Sequence, residues 1–199
     1  VLIYPLIVFL AAETIIQIIL PQLHVTWLCV TLLSVLYFIY CSEMWNQLDA
    51  LTGLLNQNSY LNRTAEIRRS GEVLVVFDVD DFKQVNDRYG HVKGDICLAE
   101  IAACIKRAYA RHGYCYRTGG DEFCVLLRDG DKEHACARDF VRRLSERRKE
   151  LDFLPTVSFG SAEISNENVV TVKDRADHNM YRYKKERKAH RMSGDAGEE

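Results

Sequence analysis

Two clusters of acidic residues sit where chains usually avoid them. One closes an apolar run as Phe77-Asp78-Val79-Asp80-Asp81-Phe82-Lys83; the other follows a double glycine as Arg117-Thr118-Gly119-Gly120-Asp121-Glu122-Phe123. Carboxylates crowded at the mouth of a strand are costly unless a cation sits with them. Alternation along a strand sends Asp78 and Asp80 to one face. Hard oxygen donors grouped in this way suit Mg²⁺ or Mn²⁺ held jointly with phosphate oxygens. An acidic helix cap explains the first cluster equally well, and Gly-Gly-Asp is unremarkable as a bare hairpin turn. Together, however, the two clusters would supply carboxylates from two neighbouring strand ends to one place, which suits a two-metal site. The paired glycines also let a ligand approach the backbone closely.

The pattern around these clusters predicts an α/β domain with one mixed sheet flanked by helices. Helices are expected over 58–69, 81–89, 94–110, 132–150 and 172–190. Strands are expected over 72–79, 114–118, 122–128 and 156–164, the middle two joined through Gly119-Gly120. His91 reads as a structural residue of the turn between Tyr89 and Gly94. The arginines at 138, 142, 143, 147 and 148 read as a solvated helix face. Seven cysteines, none in a C-x-x-C pair, fit neither a zinc site nor a disulfide framework, and read as small buried residues in a reducing compartment.

Of 199 residues, the first 43 hold no Lys or Arg and only two acids, Glu13 and Glu43. All 26 basic residues lie beyond them, balanced by the remaining acids, so the polar part is no general nucleic-acid binder. Residues 1–20 would span about 30 Å as a helix, the thickness of a bilayer core. A second charge-free run covers 24–41. Two antiparallel transmembrane helices are expected over 1–43, anchoring the chain in lipid, with a short linker over 44–48 and a polar tail over 191–199. Glu13 and Gln17 share one face of the first helix. The start at Val1, inside an apolar run, is expected of the C-terminal part of a longer multi-pass membrane protein with its polar domain in the cytoplasm.

Gly119-Gly120-Asp121-Glu122-Phe123 is the GGDEF signature, and the sequence resembles the GGDEF-domain diguanylate cyclases over about 49–188. Asp49-x-Leu51-Thr52-Gly53-Leu54-x-Asn56 resembles the family's opening motif. Asp78, Asp80, Phe82, Lys83, Asn86, Asp87, Gly90, His91, Gly94 and Asp95 match its central pattern in order and spacing. Ser158-Phe159-Gly160 resembles the S-x-G strand, and Ala176-Asp177-x-x-Met180-Tyr181-x-x-Lys184 the closing helix. The resemblance implies a nucleotide-cyclase-like fold over 49–190 and a homodimer with one GTP per subunit. In it the 3′-hydroxyl of each GTP attacks the α-phosphate of the other, giving cyclic di-GMP and two pyrophosphates. It implies Mg²⁺ or Mn²⁺ held by Asp78, Asp121, Glu122 and the Val79 carbonyl, with Glu122 assisting deprotonation of the hydroxyl. Lys83, Lys184, Lys188 and the amides around Asp81 and Phe82 would hold phosphates. Asn86 and Asp95 would read the guanine edge.

Several positions depart from that pattern. Gln57 stands where Arg is expected, and Arg187, Lys188 and Ala189 stand where Gly, Arg and Asn are usual. Lys188 keeps the charge without the bidentate fork. Ala110 and Gly113 replace the Arg and Asp of the product-inhibition motif, so that site is expected to be absent. A module that binds GTP or a partner protein without turnover is the competing expectation, and the presence of Asp78, Asp121 and Glu122 weighs against it.

Overall fold

The computed structural model describes residues 26–45, 47–65, 71–165 and 167–194, with positions 11, 15, 18 and 19 in helical geometry. Side chains are described up to residue 185 and, in the first helix, over 29–42. The chain divides into two compact units, 1–46 and 47–199.

In the first unit, helix α1 spans Thr26–Trp45 on the second apolar run. Leu32, Leu36, Phe38 and Ile39 are exposed along it. Hydroxyl-bearing Thr31, Ser34, Tyr37 and Tyr40 dilute its apolar character, and Ser34 turns its hydroxyl back onto the Val30 carbonyl at 2.8 Å. Among the described residues no helix is long and apolar enough to cross a membrane. The expected membrane-crossing pair is thus not shown. Most of the first run, Gln17 included with residue 13, lies outside the described residues.

The second unit runs α2 (Gln57–Ala65), β1 (Val73–Val79), α3 (Phe82–Tyr89), α4 (His91–Tyr109), β2 (Gly113–Arg117), β3 (Glu122–Leu127), a 3₁₀ turn (Gly130–Lys132), α5 (Glu133–Glu150), β4 (Val157–Glu163) and α6 (Val169–Gly194). The four strands lie in the order β2-β3-β1-β4, and every pairing is antiparallel. This corrects the expected mixed sheet. The crossover through α3 and α4 does deliver β2 in the same direction as β1, but the β2–β3 hairpin inserts β3 between them. The parallel relation is never expressed as a ladder.

β1 is buried on both faces, as its unbroken apolar run requires. One face packs on α4 and α5 through Val75, Phe77, Ile101, Ile105, Tyr109 and Phe140. Phe77 meets the rings of Tyr109 and Phe140 edge-on at 5.6 and 5.2 Å. The other face packs Leu74, Val76, Cys124 and Leu126 under α2 and α6 through Tyr60, Val172 and Ala176. Gly160 sets how close α6 comes. A Cβ there would lie 2.3 Å from the Met180 nitrogen and 2.4 Å from the Ala176 carbonyl oxygen. His91 is not a turn residue: α4 starts there, directly after Gly90, whose φ of 81° breaks α3 from α4.

Candidate functional site

Antiparallel register places Asp78 of β1 opposite Glu122 of β3 and opposite Ser158 of β4. Like charges across a ladder repel, and two lysines from α6 meet this pair. Lys184 Nζ donates to Asp78 Oδ2 at 2.6 Å and lies 3.3 Å from Asp80 Oδ1. Lys173 Nζ lies 3.8 Å from Glu122 Oε2. Asp80 is held from the other side, accepting from the Thr156 hydroxyl at 2.6 Å and the Ser158 hydroxyl at 2.7 Å. Asp78 and Asp80 therefore share one ammonium, as strand alternation required. Burial draws Lys184 down, yet its bonds to Asp78 and Asp80 hold it above the ordinary lysine value. On the same helix, burial pushes the Asp177 carboxyl up; Lys173 opposes that shift, while Glu122, Asp174 and Asp78 add to it.

The chain leaves β1 through a sharp reversal. Asp81 adopts φ 53°, the one described non-glycine residue with positive φ; Asp tolerates this region better than most residues. The Asp80 amide donates to the Thr156 carbonyl at 2.9 Å, and the Gln84 amide to Asp81 at 2.8 Å. Helix α3 thus begins at Phe82, beside the carboxylates. A Cβ at Gly94 would lie 2.0 Å from Asn86 Oδ1 and 3.3 Å from the Phe82 ring. Gly94 therefore lets α3 lie directly on the first turn of α4. Phe82 and Asn86 meet α4 at Gly94, Asp95 follows that glycine and is exposed, and Lys83 is exposed on α3.

The hairpin that carries Asp121 and Glu122 is clamped by Arg117. Its Nε donates to the Gly119 carbonyl at 3.2 Å and Nη2 to the Gly120 carbonyl at 2.8 Å. Its Nη1 bonds both Asp49 oxygens, at 3.0 and 3.2 Å. Asp49 also accepts from the Thr52 amide and hydroxyl. Residues 47–56 close into a turn docked on edge strand β2, through Leu55 N to Cys115 O at 3.0 Å and Arg117 N to Leu55 O at 2.8 Å. Burial pushes the Asp49 carboxyl up, but the Thr52 and Arg117 bonds more than offset it and leave it below the usual aspartate value. Its contribution to stability is therefore full above the unfolded aspartate pKa and is lost as pH falls through the lowered folded value. Arg117→Lys keeps the charge and loses the fork. It is expected to cost about 1–2 kcal/mol and to speed amide exchange through Gly119–Glu122, read by hydrogen–deuterium exchange. Unchanged exchange there would show that the clamp does not hold the hairpin.

Other expected residues are placed less directly. Asp121 meets β1 through its backbone, its carbonyl accepting from the Val79 amide at 3.3 Å. Lys188 falls within α6, and its side chain lies outside the described residues. Among the described residues no three acids, His or Cys close into a ready metal group. The donor set still fits a divalent ion: Asp78 and Glu122 face each other across the ladder, and a cation already lies on Asp78. A separate cleft of about 560 Å³ lies between α4 and α5, lined by Lys106, Arg107, Arg111, His112 and Arg143. Gly113, beside it, is closed to any side chain, since a Cβ would lie 2.3 Å from the Leu126 carbonyl oxygen. Thr156, Lys173, Asp177 and the Asp49–Arg117 pair were not foreseen as site members. Only Asp49, Arg117 and Asp177 carried a signal, as unassigned members of the motifs.

Residues 46–190 match the family model described as diguanylate cyclase, GGDEF domain. The chain is 32% identical over 149 residues to diguanylate cyclase DgcM of Escherichia coli, covering 68% of this chain and 35% of that one. It is 41% identical over 104 residues to an uncharacterized signaling protein of Caulobacter vibrioides, covering 49% of this chain and 13% of that one. The matches thus span 13–35% of these relatives' own length. Among solved structures, the GGDEF domain of DgcB from Caulobacter crescentus, in complex with c-di-GMP, aligns with TM-score 0.61 and 29% identity over 70% of this chain and 90% of that chain. Diguanylate cyclase SiaD from Pseudomonas aeruginosa, in complex with its activator SiaC, aligns with TM-score 0.63 and 25% identity over 89% and 74%.

Proposed function

This chain belongs to the GGDEF family of diguanylate cyclase domains, and from that premise we propose that it condenses two GTP into cyclic di-GMP and two pyrophosphates. The observation that carries the reading is the Asp78–Glu122 pair, opposed on adjacent strand ends beside the Gly119-Gly120 turn and met by a lysine. Such a pair is costly on its own and useful beside a polyphosphate. Mg²⁺ or Mn²⁺, held by Asp78, Glu122, Asp121 and the Val79 carbonyl, would neutralise triphosphate charge. The protein's own residues do the rest. Lys83, Lys184 and Lys188 hold phosphate oxygens, and the first turn of α3 presents amides to them. Glu122 takes the proton of the 3′-hydroxyl as its oxygen bonds to the α-phosphorus of the other nucleotide, and pyrophosphate leaves with the electrons of the broken P–O bond. One nucleotide per subunit makes a homodimer necessary.

We extend the proposal to residues 1–43 as a membrane anchor, with the cyclase unit on the cytoplasmic side where GTP is found. Supporting it are the absence of Lys and Arg from that stretch and the large apolar side chains exposed along α1. Incubation with GTP and Mg²⁺ tests the catalytic reading: cyclic di-GMP is the expected product. GTP binding without any product, at concentrations where the chain is dimeric, would make this a binding module without turnover.

Base choice follows from Asn86 on α3 and Asp95 on α4, the residues the resemblance assigns to the guanine edge. Asp95 is exposed near the start of α4, just after Gly94. A carboxylate only accepts hydrogen bonds. Guanine offers N1–H and the 2-amino group side by side; adenine offers an acceptor at N1. Discrimination against ATP is expected to be on the order of 10⁴. Asp95→Ser, able to donate or accept, is expected to admit ATP into mixed cyclic dinucleotides. Equal incorporation of GTP and ATP by the parent chain would remove Asp95 from this role.

A further inference from the structure

We propose that Lys184 is the resident counter-cation of the carboxylate site and exchanges for a divalent ion when a nucleoside triphosphate arrives, so that metal and phosphate bind as one linked event. This rests on the reading of Asp78 and Glu122 as metal ligands. Lys184 Nζ is 2.6 Å from Asp78 Oδ2, and the two side chains are 27% and 26% exposed, so solvent screens the pair only in part. Its second partner is different in kind. Asp80 is 13% exposed, and both its oxygens are fixed by Thr156 and Ser158. Asp80 is therefore a stationary tether, while Asp78 is the contact an incoming cation must take. An ammonium on a flexible four-carbon stem can leave one carboxylate for a phosphate oxygen without backbone movement.

A dication and an ammonium on one carboxylate oxygen repel each other. A metal ion arriving alone must displace Lys184 with no anion to receive it. A triphosphate supplies that anion, so metal binding is weak alone and strong with nucleotide. Reciprocity requires the same factor in the other direction. Lys173 repeats the arrangement loosely at Glu122, 3.8 Å away.

Mn²⁺ binding to the full chain, followed by electron paramagnetic resonance without nucleotide, tests the exchange. Lys184→Met removes the charge at similar length and is expected to tighten Mn²⁺ about tenfold, while Lys184→Arg keeps the parent affinity. The gain in Mn²⁺ affinity given by 3′-deoxy-GTP, which lacks the attacking hydroxyl, is expected to shrink by a similar factor in Lys184→Met. Mn²⁺ affinity in Lys184→Met equal to or below the parent overturns the exchange. Asp78→Asn separates the two readings. If it binds Mn²⁺ as the parent does, the metal reading fails and this one with it. If it loses Mn²⁺ while Lys184→Met is unchanged, the metal reading stands and the exchange alone fails. Should Lys184→Met not fold, the ammonium ¹⁵N resonance of Lys184 in the parent decides. It is expected to shift when Mg²⁺ and 3′-deoxy-GTP are added together, and no shift overturns the proposal.

Discussion

Glu122→Gln is expected to lower cyclic di-GMP formation on the order of 10²–10⁴-fold while leaving the fold nearly intact. The substitution keeps shape and removes only charge. Glu122 is 54% exposed at the edge of the β3 ladder, so no core contact is lost. Its ion pair with Lys173 is long and half exposed, worth at most about 1 kcal/mol. The amide cannot take the hydroxyl proton and is a poor ligand for a hard dication. Product formation by chromatography, at matched folded fraction, measures the effect. Activity equal to the parent would sink the assignment of Glu122 and of the site around it.

The second large effect is structural. Gly160→Ala is expected to destabilise the domain by about 3 kcal/mol, lowering the thermal midpoint by roughly 10 °C in a unit of this size. The new methyl would lie 2.3 Å from the Met180 nitrogen, 2.4 Å from the Ala176 carbonyl oxygen and 2.7 Å from Met180 Cα. All three are helix backbone and cannot rotate aside. Helix α6 must move off β4, opening the smaller core at Val172 and Ala176 and carrying Lys173 and Lys184 away from the acids. Thermal unfolding followed by circular dichroism reads the first loss, and product formation at low temperature reads the second. An unchanged midpoint would mean that α6 does not rest on Gly160.

Local chemistry explains what the sequence made legible. The run 72–79 could only be a buried strand, and the glycines at 119 and 120 could only be a turn. Those two facts put Asp78 and Glu122 at strand ends; that they meet rests on β3 lying beside β1. The lysines were harder. Lys184 carried a role through its motif, facing phosphate, but its seat on Asp78 depends on how closely α6 packs, which Gly160 decides 24 residues earlier. Nothing local to Arg117 names Asp49, 68 residues away, as its partner. Strand direction failed for a similar reason, because it depends on which neighbour a hairpin inserts and periodicity is blind to that. Asp81 was expected inside a helix; its left-handed backbone instead starts α3 one residue later.

The Asp49–Arg117 clamp makes the hairpin a reporter as well as a tool. Four bonds tie the carbonyls of Gly119 and Gly120 and both Asp49 oxygens to one guanidinium. Whatever twists the chain as it enters at Gln47 therefore changes the free energy of the hairpin that presents Glu122. Linkage makes the exchange symmetrical. On the proposed reading, nucleotide occupancy at the hairpin alters the free energy of segment 47–56 by the same amount. If the site binds nucleotide as proposed, its state is legible upstream, and an input arriving there would meet a segment already biased by what the site holds.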